Sequence, residues 1–123
     1  MKSNKIALAL ISLALASVAV PAMAHHATST FYQEDAVELT GKIVELVWAN
    51  PHGMIVFQDA DGAYYVGEMA SILGLSQQGL GSSDLPIGME ITVQALPSRD
   101  GSNRVHINTI ESEGVAIYGS PDA

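Results

Sequence analysis

Histidine is the residue type in this chain best suited to metal chemistry. The sequence contains four histidines and no cysteine, so a metal site would combine imidazoles with carboxylate, thioether or backbone groups. Two of them are adjacent, His25 and His26, and the others are His52 and His106. Imidazole nitrogen suits copper, zinc and nickel. The histidines therefore predict a transition-metal site, with copper as the favoured ion and the absence of any cofactor as the alternative.

A signal peptide is predicted at residues 1–24. A short basic start is followed by an apolar stretch at residues 6–20 and by an A-x-A motif at residues 22–24. The apolar stretch is shorter than the roughly 20 residues that a membrane-spanning helix needs. We therefore expect a periplasmic or secreted protein, with no stable membrane insertion after cleavage.

Cleavage would place a histidine at or near the new N-terminus. A cut after Ala24 leaves His25 with a free α-amine beside its imidazole, a chelating pair of nitrogens that suits Cu(II). A cut after Ala22 makes His25 the third residue, so that the amine, two amides and the imidazole can surround Cu(II) or Ni(II). The competing interpretation is a solvated tail that binds no metal.

A second group of candidates surrounds Pro51. Trp48, Asn50, His52 and Met54 occupy alternate positions, so an extended chain would direct all four to one side. Imidazole and thioether ligands beside an indole suit Cu(I). We predict His52 and Met54 as metal ligands and Trp48 and Asn50 as cofactor-binding residues. Alternatively, Trp48 and Met54 fill the core and His52 caps a turn.

His106 lies in a strand-like segment between Val105 and Ile107. The alternation places its side chain on the polar face, away from the two apolar neighbours. That face can form a groove shared with the turn that carries His52. His106 is therefore a further predicted metal ligand, and an ordinary surface histidine is the alternative.

The composition argues against several functions. Thirteen acidic residues against five basic ones give a formal net charge of −8, which disfavours binding to nucleic acid. Cysteine nucleophiles and the G-x-S-x-G and H-E-x-x-H motifs are absent from the sequence. Glu68 has apolar neighbours, but a lone carboxylate is weak evidence for acid–base catalysis. We predict that the protein is not an enzyme.

The organisation after the signal peptide is that of one small domain. We predict a flexible N-terminal segment at residues 25–36, a barrel domain at residues 37–118 and a C-terminal tail at residues 119–123. Short strand-like runs are separated by turn residues, and a weak helical pattern lies between the third and fourth runs. This order predicts an all-β fold, a small five-stranded OB-like Greek-key barrel with a short helical connection between strands 3 and 4. An open antiparallel sandwich is the alternative.

The inward-facing side of the first strand changes partway along it, as expected for a strand that bends around a barrel. Its inward-facing positions change from odd to even numbers between Ile43 and Val44. A strand that changes face needs a bulge, and glycine tolerates the backbone geometry of one. We therefore place the bulge near Gly41.

Several segments together resemble a family of small exported bacterial proteins of unknown function. In that family a His-His pair follows the signal peptide and a W-x-N-P-H segment ends the first long strand. The resemblance implies a bacterial envelope protein and a barrel-like fold, without an established activity. It depends on His25-His26, Phe31-Tyr32, Gly41-Lys42-Ile43, residues 48–52, residues 85–93 and residues 97–102.

Two functions are compatible with these observations. The first is an exported small binding protein that holds copper or another transition metal through its histidines. The second is a metal-free envelope module that binds a peptide, glycan or protein partner on the barrel face through Trp48, Tyr64, Tyr65 and His106.

Overall fold

The structure is a computed structural model and describes residues 28–119. None of the helices within these residues is long and apolar enough to cross a membrane. Between the third and fourth strands lie the helix α1 (Ile72–Gln77) and a 3-10 turn (Ser82–Asp84). The strands are β1 (Val37–Val47), β2 (Met54–Gln58), β3 (Tyr64–Glu68), β4 (Glu90–Pro97), β5 (Arg104–Ser112) and β6 (Val115–Tyr118).

The first five strands form a closed barrel. β1 pairs with both β2 and β4, β2 with β3, and β4 with β5, all antiparallel. A parallel pairing of β3 with β5 closes the barrel, and β6 extends the sheet beyond β5. The predicted five-stranded OB-like barrel with a helix between strands 3 and 4 is therefore confirmed.

The bend in β1 is produced by one extra residue. The pairing register with β2 shifts between Ile43 and Glu45, so Val44 is the bulged residue. The change of face is confirmed, but the bulge lies at Val44 rather than near Gly41. Gly41 is needed for another reason: a Cβ there would lie 2.5 Å from the carbonyl oxygen of Gln58. The absence of a side chain lets the two backbones approach closely.

The β2–β3 hairpin turns at the acidic segment that the sequence predicts. One carboxylate oxygen of Asp59 accepts hydrogen bonds from the backbone N–H groups of Asp61 and Ala63, each at 2.9 Å. Gly62 has a φ of 86°, a left-handed conformation that glycine adopts without strain. The turn thereby sets the register of the two strands that carry the site described below.

The barrel interior holds the apolar face of every strand, and α1 covers one end of it through the buried Leu75. Ser71 caps α1 by accepting the backbone N–H of Gly74. Since the chain has no cysteine, its stability rests on this packing, and each large buried side chain contributes roughly 1.5–3 kcal/mol. The largest fully buried side chains are Phe57, Ile43, Ile55, Met69, Leu75, Leu85, Ile91, Ile107, Ile110 and Val93.

Candidate functional site

Four side chains form one row across the outer face of the barrel. Val47 on β1 pairs with Met54 on β2, Met54 pairs with Glu68 on β3, and Glu68 pairs with His106 on β5. Gly67, the neighbour of Glu68, is buried toward the core, so alternation along β3 directs Glu68 outward. The closure of the barrel therefore places Met54 and His106 on either side of Glu68.

The carboxylate of Glu68 is the centre of a polar cluster. Its Oε2 accepts a hydrogen bond from the hydroxyl of Tyr32 at 3.0 Å and another from Nη2 of Arg104 at 3.2 Å. Its Oε1 lies 3.7 Å from Nε2 of His52, and the Glu68 side chain is 16% exposed. We call Tyr32, His52, Glu68, Arg104 and His106 the Glu68 cluster.

The imidazole of His52 is held in one orientation. Its Nδ1 lies 3.1 Å from the backbone carbonyl oxygen of Met69. Because a carbonyl oxygen can only accept, Nδ1 carries the proton, and the neutral ring then has its lone pair on Nε2. Nε2 is the atom that faces Glu68. A histidine whose second nitrogen donates to a backbone carbonyl has the arrangement usually found in metal ligands.

Tyr32 covers this part of the outer face. It forms an isolated antiparallel bridge with Ser98 in the connection between β4 and β5, and the N–H of Gln33 donates to the carbonyl of Pro97 at 2.8 Å. The Tyr32 side chain is buried, and its ring centroid lies 5.5 Å from that of His106. The chain before β1 is therefore attached to the barrel at the Glu68 cluster.

Burial and neighbouring charges shift two pKa values in the cluster. Desolvation raises the pKa of Tyr32, and the hydrogen bond and negative charge of Glu68 raise it further. The phenol thus stays protonated and able to donate at neutral pH. Desolvation lowers the pKa of His106, and His52 adds to this effect while the carboxylate of Glu68 opposes it. Burial therefore favours the neutral, ligand-competent imidazole at His106.

An open pocket of 380 Å³ gives solvent access to the cluster. His52, Glu68 and Arg104 line it, together with Asp100 from the β4–β5 connection. A larger groove of 1190 Å³ runs along β5 and β6, where His106 meets amides and small side chains such as Asn108. His106 lines the larger groove, whereas the smaller pocket brings the imidazole of His52 and the carboxylate of Glu68 close together.

Comparison with known protein families identifies the chain at family level only. A family model described as a family of unknown function, DUF6152, matches residues 13–107. The chain belongs to the DUF6152 family. No curated protein matches the sequence. The match extends from within the predicted signal peptide into β5, where it ends at Ile107, so it includes every residue of the Glu68 cluster.

The structure of this DUF6152 protein brings three of the predicted ligands to one place. His52 contacts Glu68, Met54 pairs with Glu68 across the sheet, and His106 pairs with Glu68 from the other side. His25 and His26 lie outside the described residues. His52, Met54 and His106 thus lie around Glu68 on the outer face at the end of β3, and their role as metal ligands stays a prediction.

The two predicted cofactor-binding residues have structural contacts. Trp48 is partly buried and packs against the hydrophobic core. The side-chain oxygen of Asn50 accepts the backbone N–H of Ile72 at 3.3 Å and so supports the first turn of α1. Both residues lie just before His52 in the chain, so these contacts anchor the start of the loop that carries it.

Sequence reasoning overlooked the partners that organise the cluster. Glu68 was visible only as a carboxylate among apolar strand residues, and Tyr32 and Arg104 are 36 positions away from it on either side. No local pattern links residues at such separations. Within residues 28–119, no group of three His, Cys, Asp or Glu side chains is arranged to hold a metal ion. The cluster thus offers His52 and Glu68 as a pair that would need further ligands.

Proposed function

We propose that this DUF6152 protein is an exported metal-binding protein that takes Cu(II) or a similar transition-metal ion at the Glu68 cluster. His52 and Glu68 would supply one nitrogen and one oxygen there. The sequence predicts His25 and His26 as further metal ligands of the exported protein. The observation that carries the proposal is the orientation of His52. Its Nδ1 is occupied by the Met69 carbonyl, and its Nε2 faces Glu68 Oε1 at 3.7 Å.

The spacing of these two atoms is close to that of ligands on a shared ion. Nitrogen and oxygen ligands bind a transition metal at about 2.0–2.2 Å, so two adjacent ligands lie roughly 3.0 Å apart in a tetragonal shell and roughly 3.4 Å apart in a tetrahedral shell. His52 Nε2 and Glu68 Oε1, at 3.7 Å, are farther apart than either. Binding of one ion by both atoms therefore requires a side-chain movement of less than about 1 Å, which the half-exposed imidazole allows.

Further ligands are within reach of the pair. His106 and Met54 flank Glu68 in the row of outward side chains, which supports them as additional ligands, the thioether of Met54 chiefly for Cu(I). The net charge of −8 also favours the approach of cations.

Export is part of the proposal because it determines the N-terminal ligand. The sequence of residues 1–24 supports cleavage by a signal peptidase. We expect the exported protein to begin at His25. Intact-mass measurement of the protein recovered from the extracellular or periplasmic fraction tests this, and a mass that includes residues 1–24 would contradict it.

Metal titration of the chain that begins at His25 tests the binding proposal. We expect Cu(II) binding by the wild type and a loss of affinity of at least about 10-fold in His52→Ala and in Glu68→Gln. Glu38→Gln is the matched control, because Glu38 is an exposed strand glutamate whose partner is Gln94. Its affinity should stay within about twofold of the wild type. Equal Cu(II) affinity in wild type, His52→Ala and Glu68→Gln would overturn the proposal.

A second candidate function, the metal-free envelope module, is favoured by exposed apolar residues on the same outer face. Tyr64 is 56% exposed and Val66 is 37% exposed. The other predicted aromatics contribute less to this surface, since Tyr65 stacks on Phe57 at 5.3 Å and Trp48 packs against the core. Cross-linking in envelope extracts distinguishes the two functions. If the protein binds a partner without metal, Val66→Asp should abolish the cross-link to that partner, whereas His52→Ala should leave it unchanged.

A further inference from the structure

We infer that Tyr32 and Arg104 are positioning residues that hold Glu68 as a one-oxygen ligand and thereby select transition-metal ions against Ca²⁺. This inference rests on the proposed function. It depends on one feature of the cluster: both donors bind the same carboxylate oxygen, Oε2. The other oxygen, Oε1, faces His52.

The hydrogen bonds restrict how Glu68 can bind an ion. A carboxylate oxygen has about two lone-pair directions, and at Oε2 one is directed to Tyr32 and the other to Arg104. An ion that binds both oxygens of the carboxylate would have to displace at least one of these donors. An ion that binds only Oε1 leaves both hydrogen bonds in place.

Metal ions differ in what they require from a carboxylate. Ca²⁺ takes about six to eight oxygen ligands and commonly binds a carboxylate through both oxygens. Cu(II) accepts a small number of nitrogen and oxygen ligands in a tetragonal arrangement. The guanidinium of Arg104 also offsets the negative charge of Glu68. This weakens the binding of a hard ion such as Ca²⁺ more than the binding of an ion held mainly by imidazole nitrogen. Each effect favours the transition metal.

The two donors come from separate parts of the chain. Arg104 begins β5 and is in register with Val66, which lies two residues before Glu68 on the same face of β3. Tyr32 is held through the backbone pairing with Ser98, independently of its hydroxyl. Tyr32→Phe therefore removes the hydrogen bond to Glu68 while it retains the buried ring and its contact with His106. This substitution separates the positioning role from the packing role.

Metal competition is the decisive experiment. Cu(II) and Ca²⁺ affinities are measured for wild type, Tyr32→Phe, the double variant Tyr32→Phe/Arg104→Gln, and Tyr64→Phe, a matched control at an exposed tyrosine. We expect the ratio of Ca²⁺ to Cu(II) affinity to rise at least about 10-fold in the double variant. The Cu(II) electron paramagnetic resonance spectrum should change with it. Tyr64→Phe should match the wild type, and Tyr32→Phe/Arg104→Lys, which keeps a cation at Oε2, should restore part of the selectivity.

The outcomes separate this inference from the proposed function. If the wild type binds Cu(II) but the double variant retains the wild-type selectivity and spectrum, the positioning role is overturned and the metal site stands. If the wild type binds no Cu(II), the proposed function fails and the inference fails with it. Circular dichroism of each variant identifies any loss that comes from unfolding.

Discussion

Two outward-facing glutamates of the barrel, Glu68 on β3 and Glu38 on β1, differ in what surrounds them. Glu38 is exposed, and its Oε2 accepts one hydrogen bond from Gln94 at 2.8 Å, its neighbour across the sheet. Glu68 is largely covered and accepts from Tyr32 and Arg104. The same residue type in the same kind of element is a solvated side chain in one place and the centre of a cluster in the other.

The difference arises from chain segments that cross one region and leave the other open. Around Glu38 the outer face remains polar and exposed, as in the hydrogen bond between Thr40 and Thr92 at 3.0 Å. Such exposed cross-strand pairs contribute roughly 0.2–1 kcal/mol. Around Glu68, the buried ring of Tyr32 reduces contact with solvent, and hydrogen bonds in a less hydrated environment are stronger. The candidate site therefore differs from the surroundings of Glu38 because Glu68 is covered by a neighbouring chain segment, and not because of the carboxylate itself.

The largest effect on this contrast is expected from Tyr32→Ala. It removes a ring that is 5% exposed, and we expect the free energy of unfolding to fall by about 3 kcal/mol because a buried aromatic group is lost. Urea denaturation followed by circular dichroism measures the change. Tyr64→Ala, at a tyrosine that is 56% exposed, is the control and should cost less than about 1 kcal/mol. Equal losses in the two variants would show that Tyr32 does not cover the cluster.

A smaller effect is expected from replacement of the two glutamates. Glu68→Gln removes the charge that Arg104 and Tyr32 bind, and we expect the metal-free protein to lose about 1 kcal/mol of stability. Glu38→Gln should change stability by less than about 0.5 kcal/mol because its surroundings are solvated. Paired thermal and urea unfolding curves test the difference. A larger loss for Glu38→Gln would reverse the comparison.

The smallest effect concerns Asp100, a carboxylate held mainly by local hydrogen bonds. Asp100 accepts the backbone N–H of Ser102 at 2.8 Å, and hydrogen bonds from the Ser102 side chain and backbone lower its pKa to about 2. Because the folded pKa lies below the ordinary value of 3.8 for an aspartate, its contribution to stability is present above that value and is lost as the pH falls toward 2.

Carboxyl chemical shifts followed against pH measure this titration. We expect a midpoint of about 2 for Asp100 in the wild type and a higher one in Ser102→Ala, which lacks the side-chain donor. Tyr32→Phe should leave the Asp100 midpoint unchanged, since Tyr32 is not among its hydrogen-bond partners. A shift of Asp100 in Tyr32→Phe would show that this local turn and the Glu68 cluster are one network.

Much of the fold could be predicted because its signals are local. The alternation at residues 90–95 predicts β4, and the Asp59 to Gly62 turn predicts the hairpin. The bulge in β1 was predicted from the change of face but was placed at Gly41 rather than at Val44. Sequence pattern reveals that a strand must change face, whereas the residue that takes up the extra length depends on how the partner strand packs.

Less of the candidate site could be predicted. His52, Met54 and His106 were chosen because their side chains ligate metals, and the barrel does bring them beside Glu68. The importance of Glu68 itself could not be recognised, because its donors lie 36 residues away in each direction. Arg104 reaches Glu68 through the parallel closure of β3 with β5, and Tyr32 reaches it through the bridge to Ser98. No short-range pattern specifies either contact.

The sequence by itself determined the strands, the turns, the acidic character and the histidines available as ligands, because propensity, alternation and side-chain chemistry are properties of neighbouring residues. The tertiary structure decided which glutamate is covered, which oxygen of that glutamate its donors occupy, and which nitrogen of His52 faces it. These features arise where segments distant in the sequence pack together. Such contacts form only when the whole barrel folds, so no short stretch of sequence specifies them.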